Sequence, residues 1–212
     1  MKVGVIGSGG VAKALATGFL KHGHQAMMGT RTAGKLAEWA AANPKGSVGS
    51  FADAAAFGEI VVLAVKGKVA AGALQLAGAG NLAGKLVIDA TNPIEDAPPE
   101  KGVLKLFTRF DASLMEQLQN EFAGANFVKA FNSVGSAMMV DPQFRGGRPT
   151  MFICGNSEAA KQSTARILDD FGWEVADMGG VEAARAIEPL CMLWCLPGFL
   201  HNQWTHAFKL LV

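Results

Sequence analysis

The stretch KVGVIGSGGVAKAL, residues 2–15, decides the fold. Its first half is a short β-branched run, which is typical of a strand buried on both faces of a parallel sheet. Gly7, Gly9 and Ala12 then fit the pattern G-x-G-x-x-A where this strand meets a helix. In such a turn the first glycine permits the sharp bend, the second lets the backbone approach a pyrophosphate, and the alanine lets helix and strand pack closely. An isolated glycine pattern can also be an ordinary turn, but its place at the first strand–helix junction favours dinucleotide binding.

Apolar runs alternate with helical patterns along most of the chain. This alternation predicts an α/β fold of the Rossmann type, a doubly wound and mainly parallel sheet with helices on both faces. From residue 181 onward the pattern is helical, with a kink or a break expected at Pro197-Gly198. We therefore expect a nucleotide-binding domain over residues 1–180 and a C-terminal helical extension over residues 181–212, in one compact unit. The predicted strands are 2–7, 24–29, 60–65, 86–90, 126–131, 150–154 and 173–175, and the predicted helices include 11–22, 35–42 and 157–170.

Composition narrows the class of protein. Half of the 212 residues are hydrophobic and 17% are charged, so the chain can bury a sizeable core and disorder is not expected. A formal net charge of +1 gives no bulk electrostatic reason to expect nucleic acid or a membrane as a partner. The N-terminal residues resemble a strand and turn rather than a signal peptide, and no uninterrupted apolar run reaches the length of a bilayer span. The three cysteines do not form a secreted disulfide framework, so we expect a cytoplasmic protein.

Thr30, Arg31 and Lys35 stand after the second predicted strand, where dinucleotide-binding chains distinguish NAD from NADP. An NAD site usually places Asp or Glu there to bind the ribose 2′-hydroxyl. The planar guanidinium of Arg31 suits phosphate oxygens instead, Lys35 adds a second positive charge, and Thr30 adds a hydroxyl donor. The two cations could also be the solvated start of a helix. At this offset, and without a competing acid, the pattern favours NADP over NAD.

Five motifs together resemble a known family: GSGGVAKALA, GTR followed by K, VVLAVK, VIDATNP and KAFNSVG. The chain is similar to the coenzyme F420-dependent (deazaflavin-dependent) NADP oxidoreductases, and also to the oxidoreductase domain of the STEAP metalloreductases. The resemblance covers nearly the whole chain. It implies that NADP(H) binds along residues 8–11, that Thr30, Arg31 and Lys35 surround the 2′-phosphate, and that Val65 and Lys66 lie beside the cofactor. It also implies a homodimer in which the C-terminal tail helps to form the interface and the substrate pocket.

Polar residues follow two later strands, at the edge where open α/β sheets bind ligands. Asn92-Pro93 ends one strand and is either a cofactor contact or a simple turn, and the resemblance favours the contact. For Asn132, after the next strand, a direct contact and a structural role are equally supported. Ala130 and Phe131 are expected to supply an apolar wall for the nicotinamide. The predicted cofactor-binding residues are Gly7, Ser8, Gly9, Gly10, Val11, Ala12, Thr30, Arg31, Lys35, Ala64, Val65, Lys66, Asn92, Pro93, Ala130 and Asn132.

The predicted chemistry is hydride transfer between the nicotinamide and a small-molecule acceptor: coenzyme F420, another deazaflavin, a flavin or a related compound. Such transfer is the chemistry of the cofactors, so no catalytic side chain is assigned. The chain has no Tyr and hence no Tyr-x-x-x-Lys pair of the short-chain dehydrogenase type. Cys191 and Cys195 share a helical face, but two thiols do not complete a zinc site, and no metal site is assigned. Two alternatives remain: a reductase of small imines or carbonyls, although the tail is short for one, and a non-catalytic NADP(H)-binding module.

Overall fold

Strand β1 (Lys2–Ile6) lies inside a six-stranded sheet and pairs in parallel with a neighbour on each side. Val3, Val5 and Ile6 are fully buried, because helices cover both faces of the sheet. A computed structural model describes residues 1–32 and 34–211. All six strands of this sheet are parallel, and their order is β3-β2-β1-β4-β5-β6. The other five are β2 (Gln25–Gly29), β3 (Ser47–Gly49), β4 (Ile60–Leu63), β5 (Leu86–Asp89) and β6 (Asn126–Lys129).

Helices pack on both faces of this sheet, which confirms the predicted doubly wound fold of the Rossmann type. Neighbouring residues of β4 point to opposite faces: Val62 joins one apolar core, and Val61 and Leu63 join the other. The sheet order reverses between β1 and β4, and the ends of these strands therefore form the crevice where such folds bind ligands. The helices are α1 (Gly10–Lys21), α2 (Ala37–Ala42), α3 (Phe51–Phe57), α4 (Ala70–Ala77), α5 (Ala79–Leu82), α6 (Leu114–Glu121), α7 (Glu158–Asp170), α8 (Ala184–Ile187) and α9 (Leu190–His201).

The last two strands lie apart from the main sheet. β7 (Thr150–Ile153) and β8 (Glu174–Asp177) form their own parallel pair, which an antiparallel bridge between Lys129 and Cys154 joins to β6. The predicted strands near residues 150 and 173 therefore exist, but they do not extend the six-stranded sheet.

Three elements, β3, α3 and α6, were not predicted from the sequence. β3 has only three residues, too few for a periodic pattern. The start of α3 did carry a local signal, because the Ser50 hydroxyl accepts a hydrogen bond from the N–H of Asp53 while the Asp53 carboxylate accepts one from the N–H of Ser50.

The C-terminal segment departs from the prediction in two ways. Of the kink or break expected at Pro197-Gly198, the break is wrong, because α9 continues through both residues to His201. Pro197 removes one N–H from the helix. The Trp204 ring packs against Gly198, which has no side chain, beside this position in α9. From Asn202 to Leu211 the chain forms no regular secondary structure, although a helix was expected there. The backbone N–H of Thr150 donates to the carbonyl of Phe208, so the tail runs beside β7.

The segment Val181–His201 is, by length and composition, the one described stretch apolar enough to cross a membrane. In this fold it is divided into a short turn, α8 and α9, and it carries the buried carboxylate of Glu188. Ile187, Cys191 and Trp194 are buried against the rest of the chain. The segment is therefore an integral part of this α/β fold, where it covers the ends of β5 and β6.

Candidate dinucleotide site

The glycine turn between β1 and α1 has the geometry that the sequence predicted. Gly7 has a φ of +144°, and a Cβ there would clash with the carbonyl oxygen of Ala64, so only glycine fits. A Cβ on Gly9 would meet no atom within 4 Å, because it would point into open space above the turn. Ala12 is fully buried, close behind Gly7. The turn therefore leaves room for a ligand only on its outer side.

The N-terminus of α1 faces this open space. Gly9 occupies the N-cap position, where no side chain bonds to the first N–H groups of the helix, and the first turn carries no acidic residue. Free N–H groups and the positive end of the helix dipole favour a bound phosphate. Ala12 contributes to this end through its backbone alone, because its side chain is enclosed.

A cavity of about 530 Å³ opens over the turn at the carboxyl ends of the strands. It brings together eleven of the predicted residues, from four separate stretches of the chain, and adds four that were not predicted. The predicted ones are Gly7, Ser8, Gly9, Gly10, Val11, Thr30, Arg31, Lys35, Ala64, Val65 and Lys66. The additional ones are Thr32, Phe51, Val69 and Ala90.

Arg31 and Lys35 form the cationic end of this cavity. Both side chains are exposed, and neither pairs with an acid among the residues that the structure describes. The Thr30 hydroxyl accepts a hydrogen bond from the N–H of Thr32 at 3.2 Å, which shapes the turn before them. No Asp or Glu lines the cavity. The arrangement suits an anionic group such as a ribose 2′-phosphate better than a neutral 2′-hydroxyl.

A second cavity of about 580 Å³ continues the first one along the strand ends. The two share Val11, Val65, Lys66 and Ala90, so we treat them as one cleft. Two ion pairs join the loops at the second cavity. Lys66 lies 3.1 Å from a carboxylate oxygen of Asp96, and Lys68 lies 2.6 Å from one of Glu95. The remaining lining residues are Gly67, Asn92, Ile94 and Ala97.

Asn92 lines the second cavity, and its amide is paired with Asn132. Asn92 Nδ2 donates to the Asn132 carbonyl at 2.7 Å, and Asn132 Nδ2 donates to Asn92 Oδ1 at 3.2 Å and to the Ile187 carbonyl at 2.9 Å. Asn132 is buried and lines neither cavity, and among the described residues its Oδ1 has no hydrogen-bond partner. Its amide therefore supports Asn92 from behind the cleft.

Three of the predicted contacts lie behind the cleft rather than on its surface. Ala130 is fully buried in the core, and Phe131 is almost fully buried beside it, so the expected apolar wall is not formed by these side chains. The reason is that the chain has not yet left the buried end of β6 at these positions. Pro93 is also buried, and its carbonyl accepts a hydrogen bond from the N–H of Phe107.

Asp89, Lys129 and Glu188 form a buried ion cluster that was not predicted from the sequence. Lys129 Nζ lies 2.6 Å from Asp89 Oδ2 and 2.9 Å from Glu188 Oε1, and the three side chains are at most 1% exposed. Burial alone would lower the pKa of Lys129, but the two carboxylates outweigh it and raise the pKa above the ordinary value. The available signal was a single charged residue at the end of each of two buried apolar runs, LVID and NFVK.

Cys191 and Cys195 lie on a helix without further metal ligands. Within residues 1–32 and 34–211 no group of three His, Cys, Asp or Glu side chains is placed to hold a metal ion. Burial raises the pKa of the Cys191 thiol to about 12, which keeps it protonated at neutral pH. These thiols pack as small apolar groups.

Comparison with known proteins identifies the family. Residues 2–93 match the sequence pattern of the family described as NADP oxidoreductase, coenzyme F420-dependent. A crystal structure from Arthrobacter sp. FB24, of a protein provisionally named F420-dependent NADP-reductase, is 33% identical with a TM-score of 0.93, and the likeness covers 100% of both chains. The chain belongs to the coenzyme F420-dependent NADP oxidoreductase family. It is accordingly an NADP-dependent oxidoreductase, and NADP(H) is the cofactor of its family.

Two further relatives differ in the sequence identity and in the length that they share with this chain. Metalloreductase STEAP3 of Rattus norvegicus is 30% identical over an alignment of 213 positions, which covers 94% of this chain but only 39% of that protein. The chain thus spans about two fifths of the length of that relative. An imine reductase from Streptomyces aurantiacus has a TM-score of 0.66 at 18% identity, covering 94% of this chain and 63% of its own. At that identity the likeness shows a common fold.

Proposed function

We propose that this protein transfers hydride between NADP(H), bound in the cleft, and a flat redox partner of the deazaflavin or flavin type. The observation that carries the proposal is the continuity of the cleft. One end has the glycine turn and the cationic pair Arg31 and Lys35, and the other opens into a second cavity at the strand ends. A dinucleotide can therefore extend from one end to the other with its nicotinamide towards the second cavity.

The residues present fit NADP(H) on three counts. The uncapped N-terminus of α1, with open space above Gly9, would receive the pyrophosphate. Arg31 and Lys35, which pair with no described acid, would hold the 2′-phosphate, with Thr30 beside them. Asn92, which lines the second cavity, presents its amide on the nicotinamide side. Of the predicted contacts, Ala12, Pro93, Ala130 and Asn132 support the site from behind.

The second cavity supports hydride transfer without a protein acid or base. Its carboxylates, Glu95 and Asp96, are both paired with lysines. The hydrogen bond from Lys66 lowers the pKa of Asp96, so that this group stays ionised and is a poor proton donor at neutral pH. When bound, the nicotinamide supplies the hydride, and the chain aligns it and shields it from water. Val65, Ile94 and Ala97 provide apolar surface on which a flat ring can lie.

We also propose that the protein acts as a homodimer in the cytoplasm. The support is apolar surface on α9 and the tail, where Leu193, Leu200 and Leu211 are each more than half exposed and Phe199 and Trp204 lie between them. Exposed apolar side chains concentrated on one element are typical of subunit interfaces. Sedimentation of the full chain and of a variant with several of these residues changed to Ser tests the proposal. A monomeric wild type would contradict it.

The hydride-transfer proposal is tested by mixing the purified protein with NADPH and one acceptor at a time. The acceptors are a deazaflavin, FMN and FAD, each of which can accept a hydride, and the loss of NADPH absorbance is followed by stopped flow. We expect oxidation with at least one of them, and much slower oxidation with NADH in place of NADPH. Small cyclic imines and 3-hydroxy acids serve as the comparison set. Turnover of that set alone, or tight binding of NADPH with no acceptor reduced, would contradict the proposal.

A further inference from the structure

The turn that follows β5 is held by an unusual amount of buried polar contact. Asp89 Oδ1 accepts hydrogen bonds from the Thr91 N–H at 2.9 Å and from the Thr91 hydroxyl at 2.7 Å. Lys129 Nζ donates to Asp89 Oδ2 at 2.6 Å and to the Thr91 carbonyl at 3.0 Å. Asp89, Thr91 and Lys129 are at most 1% exposed. The backbone that leads into Asn92 is thus fixed from both sides.

We propose that Thr91 and Lys129 are positioning residues, which set the Asn92 amide to pair with the carboxamide of the nicotinamide. This inference rests on the proposed function and names the groups that orient the reacting end. Neither residue lines the cleft, so both act through Asn92.

The hydrogen-bonding capacity of Asn92 shows what the positioning achieves. An Asn side chain carries two N–H donors and an oxygen that can accept two hydrogen bonds. Asn92 uses one donor on the Asn132 carbonyl and one acceptor position on Asn132 Nδ2. One N–H and one acceptor position remain, and they are complementary to a primary carboxamide, which also offers one of each. A fixed amide recognises such a group well only when its plane is set in advance.

The same network reaches the C-terminal helices. Glu188, directly after α8, accepts hydrogen bonds from the N–H groups of Leu114 and Met115 at 2.9 and 3.0 Å, while it pairs with Lys129. The carbonyl of Ile187 holds Asn132. Buried ion pairs commonly add little net stability compared with apolar packing, so stability alone is a weak reason for such a cluster. The cluster instead orients the side-chain amides of Asn92 and Asn132.

The test compares two probes that share the phosphate end of the cofactor. NADPH carries the nicotinamide, and 2′,5′-ADP does not. We expect Thr91→Val, which keeps the shape but removes the hydroxyl, to weaken NADPH binding about tenfold, roughly the contribution of one well-oriented hydrogen bond. Binding of 2′,5′-ADP should not change. Thr91→Ser restores the hydroxyl and should restore NADPH affinity. Calorimetry measures both constants without any acceptor.

Thr164→Val is the matched control. Thr164 is equally buried, and its hydroxyl bonds to the Ala160 carbonyl in α7 at 2.9 Å, away from the cleft. It should leave both affinities unchanged, and thermal melting checks that the variants are folded. If Thr91→Val does not fold, Thr91→Ala gives the same comparison with less bulk.

Two results would overturn the inference. Equal weakening of both probes by Thr91→Val would mean that the residue only supports the fold. Unchanged NADPH affinity in a folded Thr91→Val protein would mean that Asn92 does not depend on it. A wild-type protein that binds neither probe would contradict the proposed function and, with it, this inference. Loss of NADPH affinity alone, with recovery in Thr91→Ser, supports it.

Discussion

The two ends of the cleft are built in different ways. The glycine turn is made by residues within one short stretch, Gly7 to Ala12, and its shape follows from backbone geometry. The Asn92 end is made by side chains that the fold brings together from distant parts of the chain. Asp89 and Lys129 are 40 residues apart, and Glu188 bonds to an N–H group 74 residues earlier in the sequence. One end is therefore formed by residues close in sequence and is suited to a phosphate. The other end is formed by residues far apart in sequence and is suited to orienting a ring.

The largest effect is expected at the Asn92 end. Lys129→Met would leave Asp89 and Glu188 buried beside each other without their cation. Breaking a buried ion pair from one side typically costs about 3–5 kcal/mol. We expect a loss of this size in the free energy of unfolding, measured by denaturant titration. Lys161→Met removes a lysine with two carboxylate partners at the protein surface, Glu158 and Asp177, and should cost less than about 1 kcal/mol. Equal losses would show that the buried cluster has no special role.

Substitutions at two glycines of the turn should affect stability and NADPH binding separately. Gly7→Ala forces a Cβ into the Ala64 carbonyl at a φ of +144° and should destabilise the protein by about 3 kcal/mol. Gly9→Ala meets open space, so its melting temperature should stay close to that of the wild type, but its methyl group would occupy the space predicted for the pyrophosphate. Melting curves and NADPH titrations of the two variants provide the measurement. A stable Gly7→Ala protein, or full NADPH affinity in Gly9→Ala, would disprove this account of the turn.

Arg31 should determine the choice of cofactor. Arg31→Asp replaces a phosphate-binding cation by a carboxylate, so NADPH affinity should fall about 100-fold, while NADH affinity should stay the same or rise. Arg166→Asp makes the same charge change on the exposed face of α7 and should alter neither. Fluorescence titration with both reduced cofactors measures the effect. If NADPH and NADH weakened by the same factor, Arg31 would not be reading the 2′-phosphate.

A smaller effect concerns the stability of the fold at acid pH, to which the ion pair of Glu116 and Arg185 contributes. The Arg185 guanidinium bonds to both carboxylate oxygens of Glu116 and lowers the pKa of that residue below its ordinary value of 4.5. A carboxyl group with a lowered pKa stabilises the fold above the ordinary pKa, and this contribution is lost as the pH falls through the lowered value. We expect melting temperatures to fall below about pH 4.5, and to fall less steeply in Glu116→Gln. An unchanged slope in Glu116→Gln would contradict this expectation.

The same contrast explains what the sequence could predict. The Rossmann-type sheet, the glycine turn and the cationic pair follow local patterns of burial, backbone freedom and charge, and the structure places them around one cavity. Ala130 was expected at the cleft but lies in the core, because the strand end where it sits remains enclosed. The cluster of Asp89, Lys129 and Glu188 was missed because no local pattern links its members. A break was one of the two expectations at Pro197, because the sequence does not show the Trp204 ring that packs on α9.

The most direct test of the account is a calorimetric titration of the wild-type protein with NADPH and, separately, with NADH. The glycine turn lies at one end of the cleft together with two cations, Arg31 and Lys35, where the 2′-phosphate would lie. We predict one NADPH per chain, bound at least about tenfold more tightly than NADH. Equal affinity for the two cofactors, or no binding of either, would contradict the account.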